Sequence, residues 1–481
     1  MNSNYLWSGF GLVPPLAARV SGRVPAGVSG VSIDTRTLRA GDLYFAIRGE
    51  TNDGHDFVAA AFEKGAAAAV VDEIHADALR EHGALYVVDD VLASMENLGR
   101  AARARSEAKI IAVTGSVGKT GVKEALRLAL SDAGETHASA ASYNNHWGVP
   151  LTLSRLSRAA NFGVFEIGMN HAGEITPLTA MVRPHVAVIT TIAPVHLEHF
   201  ASLEAITAAK AEIFSGLEIG GAAVINRDIP QFGLLKERAG ASRAAHVMTF
   251  GEHADADARL LSFSAGPRGS RVTARVMGGT LTYDLAAPGK HMAMNSLAVL
   301  LAAACVGVDP VAAAKSLERF EAPAGRGQRV ELRVGEENFT LIDESYNANP
   351  ASMRAALALL GEADTRARGR RVAVLGDMLE LGPEAARLHK ALADPVMQNR
   401  VDMVFAAGPL MKNLHESLPP RVRGAWAEKA ADLESALFEA IAPGDVVMVK
   451  GSNGSRMGPI VAAMKQKFAR REGAAGEATG C

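Results

Sequence analysis

KIIAVTGSVGKTGVKEAL, residues 109–126, is the stretch on which the reading of the chain turns. It opens with a β-branched run that ends in glycine, and it closes in a helical pattern. There Val122, Ala125, Leu126 and Ala129 fall on one face. A strand, a glycine turn and a helix in that order aim backbone amides and a helix N-terminus at one point, where phosphate oxygens are held. Lys119 would reach the outer phosphates, and the Thr120 hydroxyl would bind Mg²⁺. The common loop G-x-x-x-x-G-K-[ST] has glycine five residues before its second glycine, and this chain has Val113 there. A glycine turn with a solvated lysine is the competing reading, and the G-K-T triplet in this setting argues against it. Thr114, Gly115, Ser116, Val117, Gly118, Lys119, Thr120 and Gly121 are therefore expected to cradle phosphate.

The 481 residues allow about three domains. With 48% of them hydrophobic, each domain can bury a core. A net charge of -2 gives no sign of a nucleic-acid or membrane surface as the main partner. Two cysteines give no disulfide framework, and no apolar run is long enough to span a membrane. A cytoplasmic protein, with no demand for more than a monomer, is expected. Short β-branched runs alternate with alanine-rich helical stretches, which predicts an α/β protein with largely parallel sheets.

Three blocks and a tail separate along the chain. Residues 1–86 form a small α/β domain, 87–322 a central domain with the glycine loop and a strand-rich insertion around 245–285, and 323–471 a third α/β domain. EAPAGRGQR at 321–329 reads as the linker between the last two, and 472–481 as a disordered tail.

Strand ends near the loop supply the next candidates. Glu166 follows NFGVF, so its carboxylate should stand at the sheet edge as a hard oxygen ligand for Mg²⁺; a surface glutamate is the alternative. His196 follows VAVITTIAPV, and HLEH could also be two solvent-facing histidines. Zinc is disfavoured without cysteine pairs or an H-E-x-x-H helix. On pattern alone Lys210 in AAKAEIF is a surface lysine.

Read together, these stretches resemble the ATP-dependent Mur ligases of peptidoglycan synthesis. The shortened loop TGSVGKT is followed in family order by SYNNHWGVPLTL, EIGMNHAGEI, HLEHF with KAEIF, GKHMAMNSLAVLLAA, GR and IDESYNANPASM. The N-terminal SIDTR, GDLYFAIRGE and DGHDF resemble the family's UDP-muramoyl-binding domain. The resemblance implies a three-domain architecture: a small N-terminal domain, a central P-loop ATPase-like domain with a parallel sheet, and a C-terminal Rossmann-like domain. YNANP with SM resembles the branch that joins D-alanyl-D-alanine to UDP-N-acetylmuramoyl-tripeptide through an acyl phosphate. The branch that adds the third residue is the runner-up. A P-loop switch that ligates nothing is a third reading, and the missing N-K-x-D weighs against it.

By the same resemblance Lys119, Glu166, His196, Lys210 and Arg326 would be catalytic, and Thr120, Glu166 and His196 would hold two Mg²⁺ ions. Carbamylation of Lys210 is implied as an option. Asn295, Arg326, Asp343, Tyr346 and Asn347 would contact ATP, although Asn295 could equally cap its helix and the last three could form a strand-end turn. Ser32, Asp34 and Arg36 would position the UDP-sugar, with Asp53 to Asp56 shaping that pocket; charged turns do the same without a ligand. Asn144 and Asn145 would face substrate, or cap a turn. Since the ATP residues come from two domains, an open form with a dispersed site is expected before nucleotide binds.

Overall fold

The computed structural model describes residues 5–140, 142–195, 197–266, 269–365 and 369–469. Besides the short pair Trp7–Ser8 and Gly27–Val28, three larger sheets follow one another along the described residues. The first runs Arg19–Ser21, Leu85–Val88, Ala68–Asp72, Asp42–Phe45, Gly30–Ser32, parallel except at the Arg19–Ser21 edge. The last runs Gln328–Val334, Glu337–Glu344, Val446–Lys450, Arg371–Gly376, Met403–Ala407, Arg423–Ala427, again parallel beyond one antiparallel edge. Among the described residues no helix is long and apolar enough to cross a membrane.

The middle sheet has nine strands and carries the glycine loop. Lys109–Thr114 lies between Phe162–Glu166 on one side and Val186–Ile189 on the other, all parallel. These strands are buried on both faces, which is why they read as continuous apolar runs and not as alternating ones. The chain leaves Lys109–Thr114 toward one edge and later returns to its other side, so a crevice opens at its carboxyl end. The strand-rich segment read at 245–285 continues this sheet. Ala244–Gly251 and Ala258–Gly266 prolong the parallel order, and Gly269–Val276 and Gly279–Leu285 close it antiparallel.

The cores show which parts are fused. One cluster runs from Trp7, Leu12, Val28 and Phe45 of the N-terminal domain through Leu98 to Leu151, Phe165 and Ile213 of the middle domain. The helix Val91–Ala104 is the splice, packing on both Gly9–Leu16 and Gly148–Ser154. The third domain instead has its own cores on the two faces of its sheet. It meets the middle domain through smaller contacts such as Leu197, which packs against both sides.

Trp7 pins the fused pair. Its indole Nε1 donates to the Ser154 carbonyl at 3.0 Å, and the Arg105 guanidinium lies 3.3 Å from the ring centroid. Differential scanning calorimetry should therefore resolve two transitions, one for the first two domains together and one for the third. Trp7→Ala should lower only the first, by about 3–5 kcal/mol of stability. A single transition, or an equal shift of both, would contradict the shared core.

Candidate active site

The glycine loop is shaped by its own strand and braced by the neighbouring one. Gly118 has φ 89°, a left-handed conformation that would strain a side chain, and it immediately precedes the helix Lys119–Ser131. No side chain caps that helix, so its first amides are left for an anion. From the segment after Val186–Ile189, Thr190 Oγ1 donates to the Val117 carbonyl at 2.6 Å. Ser116 Oγ donates to the Ala193 carbonyl at 3.0 Å and accepts from the Ala193 amide at 2.9 Å. The loop is thus held in shape by the protein alone.

Beneath it lies Glu166, 1% exposed at the end of its strand. Its carboxylate accepts from Thr120 Oγ1 at 2.7 Å on one oxygen and from Asn144 Nδ2 at 2.7 Å on the other. Both bonds satisfy a buried charge that would otherwise be costly. Lys119 curls back so that Nζ donates to the Gly115 carbonyl at 2.8 Å, and burial pushes its pKa down, against the pull of Glu166. Lys210 is buried as well, on the helix Leu203–Ala211, with no hydrogen-bond partner among the described residues. Burial first, and Lys119 second, hold its pKa well below that of a free lysine.

The third domain supplies the facing wall. Arg326, Glu344, Tyr346, Asn347 and Lys450 line the same cavity of about 590 Å³ as Gly118, Lys119, Glu166 and Asn295. The Arg326 guanidinium lies 3.9 Å from the Tyr346 ring centroid, and its Nη2 donates to Ser142 Oγ of the middle domain at 3.1 Å. In this structure the site is assembled, with both domains lining one cavity. A hydroxyl and an aromatic face keep the guanidinium turned toward the loop across the domain boundary.

Models of three Mur ligase domains match the chain in order: the Mur ligase family catalytic domain at residues 27–114, the middle domain at 113–303 and the glutamate ligase domain at 325–453. The UDP-N-acetylmuramoyl-tripeptide–D-alanyl-D-alanine ligase of Bacillus subtilis is 33% identical over 90% of this chain and 92% of its own. The enzyme of the same name from Escherichia coli is 34% identical over 91% and 94%. The chain belongs to the Mur ligase family.

A crystal structure of MurF from Acinetobacter baumannii superposes with a TM-score of 0.82 at 28% identity, covering 96% of this chain and 99% of that one. On this Mur ligase frame the remaining expected residues can be placed. His196 lies outside the described residues. Asp343 does not line the cavity: its carboxylate accepts from Ser345 Oγ at 2.6 Å and from Lys465 Nζ at 3.4 Å, and it is its neighbour Glu344 that faces inward. Asn145 turns its Oδ1 to the amides of Trp147 and Gly148 and so starts a helix, which is the capping role. Thr114 ends its strand fully buried, below the loop.

In the N-terminal domain, Ser32 is 1% exposed, and its hydroxyl bonds to the backbone of Asp34. Asp34 grips Arg36 in a two-oxygen pair, with Arg36 exposed. Asp53, His55 and His75 gather close enough to suggest a metal. The geometry argues otherwise: the two imidazoles stack with centroids 4.0 Å apart and planes within 16°, so their in-plane lone pairs do not converge.

Lys450 and His291 are among the cavity residues that went unread in the sequence. Lys450 ends the strand Val446–Lys450, where Nζ donates to Glu344 Oε2 at 3.1 Å and to the Asn347 carbonyl at 2.9 Å. His291 opens the helix Lys290–Cys305 facing that pair, and burial lowers its pKa, with Glu344 opposing. The rule that ligands sit at the carboxyl ends of parallel strands would have found Lys450.

Gly118→Ala tests the loop. A Cβ there would sit 3.0 Å from the Asn295 amide on top of the φ penalty, about 1–3 kcal/mol. Calorimetric titration should show ATP affinity falling at least about 10-fold, and unchanged affinity would count against this loop as the phosphate cradle.

Proposed function

We propose that this chain joins D-alanyl-D-alanine to UDP-N-acetylmuramoyl-tripeptide at the expense of ATP, forming an amide bond. The observation that carries the proposal is the single cavity in which the glycine loop of one domain faces Arg326, Tyr346 and Lys450 of the next. The relatives that share this chain over nine-tenths of its length bear the name of that reaction.

In this reading the terminal carboxylate of the tripeptide attacks the γ-phosphorus of ATP, and the bond to the bridging oxygen breaks to release ADP. The dipeptide amine then attacks the acyl carbon of the acyl phosphate, inorganic phosphate leaves, and the amine gives up a proton. No side chain needs to become a covalent nucleophile; placement and charge neutralisation carry the rate. Amides at the start of the helix Lys119–Ser131 and the Lys119 ammonium take the phosphates. The Arg326 guanidinium offers a planar fork to the transferring group. Asn295, whose amide packs against Gly118, and Tyr346 are placed for base and ribose. Ser32, Asp34 and Arg36 would receive the UDP-sugar.

Mg²⁺ fits the donor set: the Glu166 carboxylate and the Thr120 hydroxyl are hard oxygens already aimed at one another. Bound there, the ion would neutralise phosphate charge. The expected second ion and His196 remain part of the proposal. Burial lowers the Lys210 pKa, which favours the unprotonated amine that reacts with CO₂, and the carbamate would place an anion beside Lys119.

The direct test is phosphate release from Mg-ATP with UDP-muramoyl-tripeptide and D-alanyl-D-alanine, read together with the mass of the product. Turnover should require the dipeptide. Turnover instead with the dipeptide precursor and free lysine or diaminopimelate would reassign the enzyme one step earlier. Lys210 has its own readout. In CO₂-free buffer activity should fall and recover with bicarbonate, and ¹³C-bicarbonate should give a carbamate resonance that Lys210→Arg lacks. Activity indifferent to CO₂ would leave Lys210 unmodified.

A further inference from the structure

The turn Ser142–Trp147, between the strand Thr136–Ala138 and the helix Gly148–Ser154, touches all three domains. At its start Ser142 accepts the hydrogen bond from Arg326 of the third domain. In its middle Asn144 donates to Glu166, and its carbonyl accepts from the Gly168 amide at 2.8 Å. At its end Trp147 lies against the N-terminal domain: a Cβ added at Gly49 would meet the indole Cη2 at 3.2 Å. Gly49 belongs to a tight hairpin, with its amide on the Asn52 carbonyl at 2.8 Å and Arg48 paired to Asp53 at 2.8 Å.

The turn has little slack. Asn145 Oδ1 holds the amides of Trp147 and Gly148 at 3.3 and 2.9 Å, and Tyr143 packs where a Gly148 side chain would be. Its centre is fixed to a buried carboxylate, so the turn is held at its start, middle and end. Arg326 is held by a ring on its own domain and a hydroxyl on this turn. The hydroxyl is the contact that crosses the boundary. Its loss would leave the guanidinium stacked on Tyr346 but free to swing away from the loop.

We infer that Ser142 is a positioning residue for Arg326, and that the turn Ser142–Trp147 links the N-terminal hairpin Arg48–Asp53 to that guanidinium. The inference rests on the ligase reading above. Its consequence is that substrate seated on the first domain and the arginine delivered by the third are registered through one short segment. ATP would then be used efficiently only when both are in place.

Ser142→Ala should lower kcat about 10-fold, the size of a lost hydrogen bond to a charged group, with less than 2-fold change in KM for the UDP-tripeptide. Ser142→Thr, which keeps the hydroxyl, should restore it. A readout apart from turnover comes from 5-fluorotryptophan in the full chain, whose three tryptophans are Trp7, Trp147 and Trp426. The Trp147 resonance is assigned with Trp147→Phe. A non-hydrolysable ATP analogue should shift it in the native protein and in Ser142→Thr, but not in Ser142→Ala. Trp7 and Trp426 serve as references. An undiminished kcat in Ser142→Ala, or the same shift with and without the hydroxyl, overturns the inference. Failure of the ligase reading would appear separately, as native protein that makes no amide product, and the fluorine shift would still judge the link.

Discussion

The buried carboxylate of Glu166 is the constraint around which the centre of the molecule is arranged. A charge this deep is tolerated only when both its oxygens are hydrogen-bonded. Thr120 from the phosphate loop and Asn144 from the turn before the helix Gly148–Ser154 provide those bonds. That requirement ties the start of the loop helix to a turn 24 residues further on, across the strand Phe162–Glu166. The loop, the paired Thr120 and Glu166 oxygens and the three-domain contact are in this sense one structure. Deleting either donor would leave a buried acceptor oxygen unpaired, and the loop would lose its floor before any ligand arrived.

The parts of this arrangement that were legible in the sequence are those set by local chemistry. The strand, glycine turn and G-K-T triplet announced a phosphate cradle because few other sequences bend a backbone that way. Glu166 was visible from its place at a strand end. The parallel sheets followed from continuous apolar runs between helical stretches. What escaped depended on long-range register. Asp343 and Glu344 are neighbours on one strand and point to opposite faces, and the choice between them is made by Ser345 and Lys465. Asn144 and Asn145 are likewise adjacent amides with different tasks, one on a carboxylate and one on a helix start. Lys450, separated from Glu344 by 106 residues, could not be paired with it from composition or spacing.

The uneven joining of the domains gives the chain its division of labour. The first two share a core, so the turn Ser32–Arg36 of one keeps a fixed relation to the glycine loop of the other. The third is attached by polar and single-residue contacts, including the Arg326–Ser142 bond and Leu197. Such an interface can open and re-form without exposing a large apolar surface. The chemistry is thereby placed at the boundary where rearrangement costs least.

Lys119 spends its ammonium on the Gly115 carbonyl of its own loop. The cradle is consequently self-stoppered. A small anion such as free phosphate must compete with that internal bond using few contacts, whereas a nucleotide brings a base, a ribose and several phosphates to displace it. In the proposed reaction, the lysine that would grip the polyphosphate chain would also guard its seat against the inorganic phosphate released.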